Sequence, residues 1–92
     1  MNLSNMNKAK RIRTRFKNKI PIPEKWRKYL WDELSGQAPL EKVVLRVLMY
    51  GDYEDWKEVY KQYPEVCRYV VDNYPQVHRG VKFWIKWWSD GN

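Results

Sequence analysis

Leu40-Glu41-Lys42-Val43-Val44-Leu45-Arg46-Val47-Leu48-Met49-Tyr50 runs directly into Gly51-Asp52, and the reading of this stretch decides the fold. Leu40, Val43, Val44, Val47 and Leu48 recur at helical spacing on one face, with Leu45 and Met49 on another side. A helix over 40–50 is therefore expected to be the most buried of the chain. Gly51 marks its stop and Asp52 the cap of the next helix, whose first turn carries Glu54 and Asp55 at the positive end of the dipole. Trp56, Val59, Tyr60 and Tyr63 form its apolar stripe. The Gly51-Asp52 junction is thus the corner of a helix-turn-helix.

Upstream, Pro23 suits the first position of a helix that continues through Trp26, Tyr29, Leu30 and Leu34 and stops at Gly36. Downstream, Tyr63-Pro64-Glu65-Val66-Cys67-Arg68-Tyr69-Val70 is echoed eleven residues later by Tyr74-Pro75-Gln76-Val77-His78-Arg79-Gly80-Val81. Each proline reads as a helix start, giving helices over 64–73 and 76–89. Gly80 weakens the last of these by about 1 kcal/mol relative to Ala, or else marks a close backbone approach. The predicted architecture is all-α: a compact bundle of about five short helices over 23–92, preceded by a flexible basic arm over 1–22.

The charge divides along the same line. Lys8, Lys10, Arg11, Arg13, Arg15, Lys17 and Lys19 have no acidic neighbour, whereas residues 24–92 balance eleven basic against eleven acidic side chains, so the whole excess of +7 belongs to the arm. At 100° per residue Ala9, Ile12, Phe16 and Ile20 fall on one side, so both a disordered polycation and a basic amphipathic helix are open. Nucleic-acid phosphates, anionic lipid, an acidic groove on a protein, or no specific ligand at all would each suit it. Nucleic acid is favoured over lipid, because the apolar stripe is thin for insertion. An Arg-rich, acid-free start also matches an organellar transit peptide in composition.

The body is rich in aromatic residues, as a small core requires if it is to bury enough area. The helix expected over 76–89 is apolar on two sides. Val77, Val81, Trp84, Ile85 and Trp88 share one arc, while Phe83 and Trp87 point the other way. Either the helix is sandwiched within the domain, or Phe83 and Trp87 anchor a partner protein, or they stack on bases beside Arg79, Lys82 and Lys86.

Chemistry is sparse. His78 is the sole histidine and Cys67 the sole thiol, so a metal centre lacks ligands, and Cys67 reads as a small buried hydrophobe, not as a nucleophile. Asp52, Glu54, Asp55 and Glu58 lack the loop and glycine of a calcium site. No catalytic residue, metal or cofactor is expected. A lone cysteine, no membrane-spanning stretch and no secretory start point to a reducing, cytoplasmic setting.

Arg46-Val47-Leu48-Met49-Tyr50-Gly51-Asp52-Tyr53-Glu54-Asp55-Trp56, with Tyr63 and the later Phe83-Trp84, resembles an uncharacterised family of small helical proteins. The similarity covers about residues 28–88. Members of that family are often found beside nucleotidyltransferase-type toxin genes and are regarded as antitoxins or accessory partners. The chain departs from the pattern in its basic arm and in the longer Tyr74–Gly80 link, and the resemblance transfers no site residues. It implies a non-enzymatic interaction protein whose body binds a protein, with a nucleotidyltransferase-type toxin as the implied partner and the arm adding contact to that partner or to nucleic acid. The alternative is a small stand-alone DNA- or RNA-binding protein of weak sequence specificity, against which stands the acidic start of the helix after Asp52.

Overall fold

The computed structural model describes residues 16–91. Lys8, Lys10, Arg11, Arg13 and Arg15, and with them the choice between helix and polycation for the arm, lie outside the described residues. The elements are strand β1 (Lys19–Pro21), a 3₁₀ helix (Glu24–Tyr29), strand β2 (Gln37–Pro39), and helices α1 (Leu40–Tyr50), α2 (Tyr53–Gln62), α3 (Pro64–Asn73) and α4 (Arg79–Gly91). The described chain is mostly helical and compact, with five helices and one small sheet.

Helix α1 is the centre of the packing. Val43, Val44, Val47 and Leu48 are fully buried, and α2, α3, the 3₁₀ helix and β2 all pack on it. Val59 of α2, Cys67 and Val70 of α3 and Ile85 of α4 complete a core into which Trp26 inserts without residual exposure.

The sheet is a departure from the all-helical expectation. Lys19, Ile20 and Pro21 pair antiparallel with Pro39, Ala38 and Gln37 respectively. The alternation of Ile and Pro over 20–23 favours extended backbone, since a proline disfavours the helical region in the residue before it. The pairing also serves the helix. The N-cap of α1 is Pro39, which has no capping side chain, and two of the first-turn amides find backbone carbonyls instead. Leu40 N–H donates to Asn18 O at 2.8 Å and Glu41 N–H to Phe16 O at 3.0 Å. Residues 16–22 are consequently built into the packed body, and Ile22 lies in its core, although the charge pattern divides arm from body after residue 22.

The helix expected from Pro23 to Gly36 ends at Tyr29. Trp26 and Leu30 are buried as the stripe requires, but Leu34 is 95% exposed. Side chains of α1 hold residues 31–36 in a turn. The Arg46 guanidinium donates to Tyr29 O at 3.0 Å, grips both carboxylate oxygens of Asp32 at 3.1 and 3.0 Å, and lies 4.7 Å from the Trp31 ring centroid. Lys42 donates to Asp32 at 3.0 Å and to Glu33 at 2.5 Å. These bonds, from Arg46 first and Lys42 second, hold the Asp32 carboxyl down at about 2. Gly36, at φ +83°, then takes the left-handed conformation that turns the chain back toward β1.

Pro64 does open α3, but Pro75 opens no helix. Val77 N–H closes a turn on Tyr74 O at 3.3 Å and Val77 is drawn into the core, so α4 begins only at Arg79. His78 caps it: its Nδ1 accepts from Gly80 N–H at 3.0 Å. The repeated Tyr-Pro-x-Val motif is thus a helix start in one copy and a turn in the other.

The corner between α1 and α2 is organised by Asp55. It forms a reciprocal cap with Asp52, each carboxylate accepting from the other's backbone N–H at 3.1 and 3.2 Å. The same Asp55 carboxylate accepts from Trp26 Nε1 at 3.2 Å and from the Tyr29 hydroxyl at 2.6 Å. Burial pushes the Asp55 carboxyl up, but the bonds from Tyr29, Asp52 and Trp26 outweigh it and hold it below the usual range. The bond to Asp55 is also the main cause that raises Tyr29 to about 12, with burial and the nearby negative charges adding to it.

Two predictions follow from this corner. A Cβ on Gly51 would stand 2.7 Å from Val47 O and 2.8 Å from Asp55 Cβ, so Gly51→Ala forces the backbone apart. It should cost about 1–3 kcal/mol in urea denaturation, and an unchanged midpoint would contradict the close approach. Asp55 ionises more readily when folded, so its contribution is complete at neutral pH and is lost as pH falls through the ordinary carboxylate range. Tyr29 holds its proton more tightly when folded, so its contribution is complete below pH 10 and is lost between 10 and about 12. Tyr29→Phe should remove the alkaline loss measured by thermal melts, and an identical alkaline profile in wild type and variant would be the contrary result.

Candidate interaction surface

Helix α4 packs on α3 and α2 through Val81 and Ile85. Beside these, Trp84 and Trp88 are half-buried and meet the tyrosines of α2. Tyr53 lies 5.2 Å from Trp84 and 5.9 Å from Trp88 between ring centroids, and Tyr60 lies 5.6 Å from Trp88. The rings therefore form a continuous sheet of aromatic surface across α2 and α4.

Phe83 and Trp87 lie at the outer edge of that surface. Among the described residues nothing sandwiches them: they are 56% and 59% exposed. One turn apart, they stack on each other at 6.0 Å with planes 27° apart, and Phe83 meets Trp84 edge-on at 5.5 Å. A shallow groove of about 330 Å³ runs beside them, lined by Phe83, Lys86, Trp87, Asp90 and Gly91.

Three basic side chains of the body are ion-paired among the described residues. Lys25 pairs with Glu58, Lys42 with Asp32 and Glu33, and Arg46 with Asp32. Arg79, Lys82 and Lys86, which follow one flank of Phe83 and Trp87, form no ion pair among the described residues, and neither does Lys57, whose ammonium sits 5.5 Å from the Tyr53 ring centroid. Basic side chains thus edge the aromatic surface, with Asp90 beside Lys86 in the groove.

The remaining residues singled out in the sequence lie apart from this face. Lys17 and Lys19 are exposed at the β1 end, which joins α1 through β2, so the structure does not gather them with Phe83 and Trp87. Asp52 and Asp55 are engaged in the helix cap and Glu58 in its pair with Lys25. Cys67 is fully buried and its thiol is pushed up by that burial, while His78 is exposed and occupied as a cap. No three His, Cys, Asp or Glu side chains gather as metal ligands among the described residues, and none of their helices is long and apolar enough to cross a membrane.

Two features escape the sequence reading. Trp31, Leu34 and Tyr50 form a second exposed apolar group, with Trp31 edge-on to Tyr50 at 5.4 Å; the acidic pair Asp32-Glu33, facing Lys42 and Arg46, is the signal that the chain turns there. Glu41 is buried within α1, accepting from Phe16 N–H at 3.3 Å and from the Tyr74 hydroxyl. No family model, curated protein or solved structure matches the chain.

Because Trp87 is held only at its edge, Trp87→Ala should change stability by less than about 1 kcal/mol, against about 2–5 kcal/mol for Ile85→Ala on the buried side of the helix. Guanidinium denaturation of the two variants checks this. Equal losses would show that Trp87 belongs to the core.

Proposed function

We propose that this chain is a non-enzymatic interaction protein whose helical body docks a protein partner through Phe83 and Trp87, with the basic N-terminal segment adding electrostatic contact to that partner or to nucleic acid. The observation that carries the reading is a stacked Phe-Trp pair, more than half exposed, that continues the aromatic surface of α2 and α4. Exposed rings that extend a contiguous apolar surface are common anchors of protein interfaces, where truncating a central one costs about 2 kcal/mol or more. The resemblance of residues 46–56 names the partner class within this proposal: a nucleotidyltransferase-type toxin, with this chain in the antitoxin-like role.

The buried Cys67 supports a binding role over a catalytic one, since its thiol is not offered to a substrate. Co-purification from the native cell tests the proposal. Tagged wild-type chain should retain a stoichiometric protein that the folded Phe83→Ala/Trp87→Ala variant loses, while deletion of residues 1–15 should leave most of it bound. Retention by the double variant would contradict the assignment.

A further inference from the structure

Resting on that docking reading, we propose that the segment received by the α4 face is an acidic amphipathic helix. The face supplies both halves of the recognition. Phe83 and Trp87 repeat at one helical turn, and Lys82 and Lys86 repeat beside them at the same spacing, with Arg79 extending the cationic flank. A helix laid along α4 presents its own apolar stripe and its own flanking charges at that period. Its leucine-sized side chains would enter the groove of about 330 Å³ beside Trp87, and its carboxylates would meet Lys82 and Lys86.

Charge complementarity selects the sign. Lys25, Lys42 and Arg46 are ion-paired with carboxylates of the body, whereas Arg79, Lys82 and Lys86, beside the rings, form no ion pair among the described residues. A second copy of the same face would oppose cation to cation and is disfavoured. Asp90 sets a local condition that a helix with spaced charges meets more readily than a strand charged at every phosphate. It lines the same groove as Trp87, so a polyphosphate would meet like charge there, while a peptide can set an amide or a cation opposite it. The rings are also engaged with one another, Phe83 against Trp87 and edge-on to Trp84, Trp84 against Tyr53 and Trp88. That leaves an apolar relief suited to aliphatic side chains more than open platforms for bases.

The probes are two fluorescein-labelled helical peptides of about five turns with the same leucine stripe, one carrying glutamates on its flanks and one lysines, and a labelled oligo(dT) strand, each titrated against the full chain by anisotropy. The glutamate peptide should bind at least about tenfold tighter than the lysine peptide. Trp87→Ala should weaken it about tenfold or more, and Lys82→Glu/Lys86→Glu should reverse the preference between the two peptides. Equal, Trp87-dependent binding of both peptides would overturn the acidic chemistry and leave the docking face standing. No detectable binding of the glutamate peptide would overturn the inference alone, and oligo(dT) binding that requires Trp87 in its place would overturn the docking reading as well.

Discussion

The carboxylate of Asp55 is the constraint on which the rest of this structure depends. It closes the α2 cap with Asp52, takes the indole N–H of the fully buried Trp26 and takes the hydroxyl of Tyr29. A body of this size has few layers in which to hide a tryptophan, and burying an indole without a partner for its N–H would cost about 1–3 kcal/mol. By satisfying that N–H from the first turn of α2, Asp55 lets the 3₁₀ helix lie against α1 and α2 at once. Gly51 is what makes room, since any side chain there would strike Val47 O and Asp55 itself. From this corner the chain before it is fixed: the 3₁₀ helix ends at Tyr29, whose carbonyl is taken by Arg46, and the returning strand β2 meets β1.

A second constraint acts at the other end of α1. Its N-terminus has a proline where a capping side chain is usual, and the carbonyls of Phe16 and Asn18 supply the missing acceptors. Buried Glu41 accepts from Phe16 N–H and from the Tyr74 hydroxyl, so one residue of α1 joins the start of the described chain to the end of α3. The residues that carry Lys17 and Lys19 are therefore part of the helical body, and whatever the basic segment contacts is delivered from a fixed point on it.

How much of this could be read from the sequence follows from which interactions are local. Helices over 40–50, after Asp52 and over 64–73 rest on periodicity and on caps within a few residues, and these were legible. The strands were not, because three residues carry no periodic signal and their pairing joins positions sixteen to twenty apart, bracketed by cap bonds that no local pattern records. Leu34 was misplaced for a related reason: its spacing from Trp26 and Leu30 is helical, but Arg46 and Lys42 bind Asp32 and Glu33 and draw the chain into a turn. The two-sided apolar pattern of 77–88 was legible, whereas the exposure of Phe83 and Trp87 depends on whether any element is left to cover them. Asp55 illustrates the same limit. As an acid in a first helical turn it had a sufficient local explanation, which concealed its bonds to residues 26 and 29.

With core, caps and turns accounted for, the outer face of α4 is a surface of the described residues on which exposed rings lie beside cations that form no ion pair. Its availability presupposes that α2 is held in place from the other side by Asp55. Amide and indole hydrogen exchange on Asp55→Asn, compared with wild type, tests that arrangement most directly. The account predicts that Trp26 Nε1–H and the amides of the 3₁₀ helix and the α2 first turn lose protection while those of α3 keep theirs. Unchanged protection of Trp26 would contradict it.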